Sequence, residues 1–90
     1  MGHKGIAMSK LIIEPVQPEL TPDARALRAF RWRGRFYRVA EIGGKWAETG
    51  HWWEGHSECK FCRVLTDRNL VADLCFEPRY GQWWLYRVYD

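Results

Sequence analysis

From residue 28 to residue 89 the chain alternates apolar and polar positions in short runs, broken by turn residues at Gly34, at Gly43 and Gly44, over 67–69 and over 78–81. A period of two is the signature of strands that bury one face. The pattern predicts strands over 28–33, 35–42, 59–66, 69–77 and 82–89, with 45–54 as either a short strand or a helical turn bearing Trp46. The connections are short enough for antiparallel neighbours and too short for parallel crossovers. The start of the chain reads differently. Three of the four prolines, Pro15, Pro18 and Pro22, fall in the run EPVQPELTPD. Each fixes its own φ, lacks an N–H and pushes the preceding residue out of the helical region. Residues 1–23 are therefore expected as an extended, partly flexible arm from which Leu11, Ile12 and Ile13 add at most one edge strand, and 24–90 as a single antiparallel β domain. Thr21, Pro22 and Asp23 would cap and open a short helix reaching Leu27. The expected fold class is mostly β: a small antiparallel meander sheet or half-open barrel with an extended Pro-rich N-terminal arm and at most one short helix.

One short pattern recurs: RFYRV at 35–39, KFCRV at 60–64 and WLYRV at 84–88. On strands, Tyr37 with Val39, Cys62 with Val64, and Tyr86 with Val88 share a face, and these are the expected core. The opposite face then receives Phe36 with Arg38, Phe61 with Arg63, and Leu85 with Arg87. The segments between the echoes do not match, so the likeness is one of strand chemistry and not of duplication.

Composition narrows the class. Ninety residues make one small domain, and six Trp, four Tyr and four Phe supply the bulk that such a chain needs for a core. No apolar run approaches the roughly 18 residues of a membrane span, and the opening MGHKGIAMSKLIIEP lacks the apolar centre of a secretory signal. Three cysteines are too few for a disulfide framework and suit a reducing compartment, so a cytoplasmic location is expected.

Charge changes the picture further. Residues 24–40 contain six arginines and no acid, so this segment carries +6 while the rest of the chain, against a net +3, carries −3. Phe30, Trp32, Phe36 and Tyr37 interleave with those arginines. Guanidinium groups for phosphates beside rings for bases are the composition of a nucleic-acid surface. The expected nucleic-acid-binding set is Arg31, Trp32, Arg33, Arg35, Phe36 and Arg38, joined by Phe61, Arg63 and Arg87 from the other two echoes. The plainer alternative is that the arginines solubilise a hairpin and pair with Glu41, Glu48 or Glu54 across strands. His51, His56, Cys59 and Cys62 offer zinc-ligand chemistry. KFCRV reads as a strand, however, where positions three apart face opposite ways, so no metal and no cofactor is expected. No phosphate-binding loop, nucleophile elbow or metalloprotease motif occurs, and a Cys–His dyad would need Cys59 beside His51 or His56. Of Trp52 with Trp53, and Trp83 with Trp84, one ring of each pair faces outward if both lie on strands.

AFRWRGRFYRV at 29–39, WW at 52–53 and the closing GQWWLYRVYD at 81–90 resemble a family of small uncharacterised bacterial domains that share an FRWRG-x-YRV block, a central WW and a terminal RVYD. The resemblance spans residues 12–90. It departs at Cys62, where an aromatic residue is more usual, and at Cys59 and Cys75. It implies a genomic setting near Y-family translesion polymerase genes and brings no catalytic or ligand-binding residues with it. The function expected is a noncatalytic nucleic-acid-binding β domain, favouring single strands and accessory to DNA repair or translesion synthesis. The alternative is a protein-interaction or self-associating module whose partner is a repair polymerase or another protein, or which dimerises through strand 82–89 as a sheet edge; no membrane partner is expected.

Overall fold

The alternation resolves into strands that all pair antiparallel. In the computed structural model, which describes residues 9–48 and 58–89, these are β1 (Ser9–Pro15), β2 (Gln17–Leu20), β3 (Leu27–Trp32), β4 (Arg35–Glu48), β5 (Cys59–Thr66), β6 (Val71–Glu77) and β7 (Gln82–Tyr89). They form one sheet in the order β1-β7-β6-β5-β4-β3-β2. Its two edges, β1 and β2, are separated in sequence by Val16 alone, so the sheet curls round until its ends are covalent neighbours. The Val16 N–H still bonds the Trp83 carbonyl of β7 at 3.1 Å before the chain crosses to β3. Among the described residues no helix is long and apolar enough to cross a membrane.

Residues 9–20 are extended, as the prolines require, and they enter the sheet as two edge strands, β1 and β2, where at most one was expected. The prolines fit because edge strands pair on one side only: Pro15 sits opposite Trp84 and Pro18 opposite Phe30. The same topology removes the expected dimer edge at 82–89, since β7 lies between β1 and β6 and both its flanks are paired. The expected helix over 21–27 is a tight turn. Thr21 N–H bonds Ala26 O at 2.9 Å, and Ala24 N–H bonds Thr21 O at 2.7 Å. The Thr21 hydroxyl accepts from Ala26 N–H at 3.2 Å, so the capping chemistry is present, but Ala24 at φ 59° leaves the helical path.

Gly43 and Gly44 do not end a strand. β4 runs through them, and its register against β5 shifts twice, between Val39 and Glu41 and between Ile42 and Gly44. Ala40 and Gly43 are therefore bulges, each adding one residue to β4 and bending it. The bends let the first four residues of β4, Arg35 to Arg38, pair with β3 while Val39 to Glu48 pair with β5. Each bulge also inverts the alternation, so the face that carries Tyr37 and Val39 is continued by Ile42 and then by Lys45.

Burial follows from the curl. Phe30, Val64, Leu74 and Leu85, all 0% exposed, pack with Leu27, Tyr37, Cys62 and Val16. Because these residues come from both limbs of the sheet, this is the concave interior. A smaller cluster of Cys59, Phe61 and Cys75 lies on the other, convex face, with Trp46, Trp84 and Tyr86 against it. Phe61 stacks on Trp46 with centroids 5.3 Å apart and meets Tyr86 edge-on at 5.1 Å. Tyr37, Cys62 and Val64 face inward as their alternation requires. On β7 the pattern breaks: Leu85 is buried inside while Tyr86 packs on the convex cluster. Opposite Asp73 and Leu74 the β7 register skips Tyr86, a bulge that reverses the faces beyond it.

Candidate nucleic-acid interface

The basic segment folds as the β3–β4 hairpin. Its tip is a two-residue turn, Arg33 and Gly34, at φ 50° and 77°, with Trp32 paired to Arg35. Two positive φ values in succession match the right-handed twist of the strands, and glycine suits the second. Arg33 adopts this conformation while fastened elsewhere. Its Nε and Nη2 donate to the two oxygens of Glu14 at 3.0 and 2.7 Å, and its guanidinium lies 4.6 Å from the Trp32 ring. Trp32 Nε1 donates to the same carboxylate at 2.8 Å. These bonds, with Arg33 the larger influence, hold the Glu14 carboxyl below its ordinary pKa. Trp32 and Arg33 thus tie the hairpin tip to β1.

The rest of the hairpin set divides by face. Arg31 and Phe36 are cross-strand partners on the convex side, with the guanidinium 5.8 Å from the ring centroid. Arg38 shares that side opposite Ala29. Its backbone is clamped by Asp67, whose carboxylate accepts the Arg38 N–H at 3.0 Å and whose own N–H bonds Arg38 O at 2.9 Å. The Arg31 and Arg38 side chains are exposed and make no ion pair among the described residues. Arg35 lies on the other side, at the rim with Tyr37, Leu70 and Tyr89. Arg68 reaches the same rim, donating from Nε to the Phe36 carbonyl at 3.0 Å. Glu19 and Glu41 border Arg28 and Arg38 in a shallow depression, so the convex patch is basic but not free of acid.

The three residues from the other echoes sit on the β5–β7 limb. Phe61, expected as an exposed stacking ring, is 3% exposed inside the convex cluster, because Trp46, Cys75 and Tyr86 surround it. Arg63 is committed to an internal network. Its Nε and Nη2 donate to Asp73 at 2.7 and 3.2 Å and Nη2 also to the Tyr89 hydroxyl at 2.6 Å, which in turn donates to Asp73 at 2.6 Å. Asp73 is 2% exposed, so Arg63 supplies the countercharge that its burial demands. Arg87 donates from Nη1 to the Ser9 hydroxyl at 3.0 Å, across to β1. Arg63 pairs with Gly44, so it lies eight residues along β4 from Phe36, at most about 27 Å of extended strand. The nine expected residues therefore do not form one surface.

Of the glutamates named as alternative partners, Glu41 and Glu48 form no ion pair with an arginine among the described residues, Glu48 accepting from Trp46 Nε1 at 3.0 Å, and Glu54 lies outside the described residues. Glu14, Asp73, Tyr89 and Arg68 were not singled out in the sequence. Their roles come from cross-strand neighbours distant along the chain, which no local pattern marks. The cysteines divide as a strand requires. Cys62 lies in the concave core, Cys59 and Cys75 in the convex cluster, and burial pushes the Cys59 and Cys62 thiols up to about 11. Such thiols stay protonated and unreactive at neutral pH. His51, His56, Trp52 and Trp53 lie outside the described residues, within which no three His, Cys, Asp or Glu gather as a metal set. Trp83 and Trp84 face opposite ways, Trp83 against Phe76 at 5.1 Å and Trp84 on the convex cluster.

The chain belongs to the family of domains of unknown function DUF6504, which matches residues 8–90. No curated protein and no solved structure matches it.

Proposed function

We propose that the domain is a noncatalytic module that binds single-stranded nucleic acid across the convex face of the β3–β4 hairpin. The observation that carries this reading is the contrast in pairing. Arg33 and Arg63 have carboxylate partners, whereas Arg31 and Arg38 flank the half-buried Phe36 ring without one among the described residues. In this reading Arg31 and Arg38 each neutralise a phosphate, a base stacks on Phe36, and Arg35 takes a third phosphate at the rim. The Asp67 clamp and the ladder fix the strand backbone beforehand, so little order is lost on binding. A role beside repair or translesion synthesis, where templates are single-stranded, agrees with the setting implied by the resemblance of FRWRG-x-YRV and RVYD. Glu19 and Glu41 at the border of the patch favour a second reading, in which a mixed-charge protein surface docks here.

The test is a titration of the protein with labelled single-stranded DNA, duplex DNA and RNA in about 50 and 200 mM salt. Three phosphates neutralised on a single strand predict a roughly 20-fold loss of affinity over that range. Salt-sensitive binding that Phe36→Ala weakens supports the proposal. Absence of binding to all three at the lower salt rejects it and leaves the protein-docking reading.

A further inference from the structure

The interior of the curled sheet is not filled to its end. Between the 21–26 turn and the inner faces of β4 to β7, a groove of about 600 Å³ continues outward from the concave core. Leu27 and Cys62 form its floor, and Phe76 and Trp83, rings 5.1 Å apart, form one wall. Arg25, Lys45 and Lys60 also line it, and among the described residues no carboxylate does. The register explains why two lysines face the hollow. The bulges at Ala40 and Gly43 bring Lys45 opposite the inward Cys62, and Lys60 stands opposite Ala47 and beside Phe76. Inner positions of a curled sheet ordinarily hold apolar side chains, so two exposed lysines at the open end of the hollow depart from that rule. Neither lysine has an ion pair among the described residues. Two neighbouring acids are turned elsewhere. Glu48 bonds Trp46 on the convex side, and the Asp23 carboxylate accepts from the Thr21 hydroxyl and the Arg25 N–H.

We infer that this groove binds a small amphipathic anion: a molecule with an apolar or aromatic body and a single carboxylate, sulfonate or phosphate head. The volume lies within the range of about 300–1,000 Å³ typical of small-ligand sites, and the mouth of a curled β-sheet is a usual place for them. The body packs against Phe76, Trp83 and Ile42, and the head meets Lys45 and Lys60. The site is on the opposite face of the sheet from Arg31, Phe36 and Arg38, so it is independent of the hairpin interface.

Two fluorescent probes of nearly the same body test it: 8-anilinonaphthalene-1-sulfonate, an anion, and N-phenyl-1-naphthylamine, which is neutral. The anion is expected to bind one site with energy transfer from Trp. Lys45→Gln with Lys60→Gln should weaken the anion about tenfold through lost Coulomb attraction while leaving the neutral probe within about twofold. Both residues are exposed, so the double variant should melt as the parent does, which separates lost binding from lost folding. Ile42, 40% exposed at the groove, gives a second variant: Ile42→Trp should exclude both probes. Anion affinity unchanged by the lysine variant, equal losses for both probes, or stoichiometric displacement of the anion by single-stranded DNA would each overturn the inference.

Discussion

Arg38 and Arg63 hold the same place in two near-identical runs, RFYRV and KFCRV, yet one guanidinium is open to solvent and the other is locked. The difference lies in the strand opposite. Arg63 faces Asp73 on β6, whose buried carboxylate captures it, with Tyr89 bridging the two. Arg38 faces Ala29 on β3, which offers nothing to hold a side chain. Arginine content alone therefore overstates a binding surface. What matters is how many guanidinium groups the cross-strand neighbours leave unclaimed.

The largest effect that separates the two is on stability. Arg63→Ala strands the Asp73 carboxylate in a buried site. Breaking a buried pair costs about 3–5 kcal/mol, and the half-exposed Arg63 puts this one near 3 kcal/mol, or roughly 12–24 °C in Tm for a domain of this size. Arg38→Ala should stay within about 0.5 kcal/mol of the parent. Thermal melts of the two variants side by side decide the matter; similar Tm values would remove the distinction.

On binding the order reverses. Phe36→Ala is expected to cost about 1–3 kcal/mol per stacked base, a roughly 5- to 150-fold loss of affinity for single-stranded DNA. Lys45→Ala, on the concave side, should change it less than twofold. If the two variants lose equally, Phe36 is not a stacking platform. Arg31→Ala with Arg38→Ala sharpens the point through salt rather than affinity. With one phosphate contact left, the loss between about 50 and 200 mM salt should shrink from roughly 20-fold to roughly 3-fold. A salt response that does not change would place the phosphates elsewhere.

The contrast also marks how far the sequence could be read. Tyr37, Cys62 and Val64 lie on unbroken alternation, so period two placed them inside, and the strands over 59–66 and 82–89 followed from the same signal. Leu85 and Tyr86 exchanged faces because the bulge at Tyr86 has no compositional mark. Gly43 and Gly44 looked like a turn because paired glycines usually are one, whereas here Gly43 is the extra residue that bends a long strand. The prolines of residues 15–18 signalled an interruption correctly and its consequence incorrectly: an edge strand needs few N–H donors, so the chain could enter the sheet at both ends. The site was half legible for a related reason. Arginines and rings are local features, but Glu14 and Asp73, which claim Arg33 and Arg63, meet them only through the ladder.

Arg33 stands between the two extremes, paired like Arg63 but on the surface, and it gives the smallest and most specific prediction. Its partner Glu14 has a carboxyl held below the ordinary value by bonds from Arg33 and from Trp32 Nε1. A carboxyl whose folded pKa is lowered contributes stability above its unfolded pKa, about 4.3, and loses it as pH falls through the folded value. Melting curves between pH 6 and pH 2.5 should therefore show part of the acid loss of Tm in the parent and not in Glu14→Gln. Arg33→Gln should retain a residual part, because the Trp32 bond still favours the charged carboxylate. The pair is exposed, so high salt should narrow the difference between parent and Arg33→Gln. Parallel curves for parent and Glu14→Gln would mean that the hairpin tip is not fastened to β1 through this carboxylate, and Arg33 would then join Arg31 and Arg38 as a cation free to meet a phosphate.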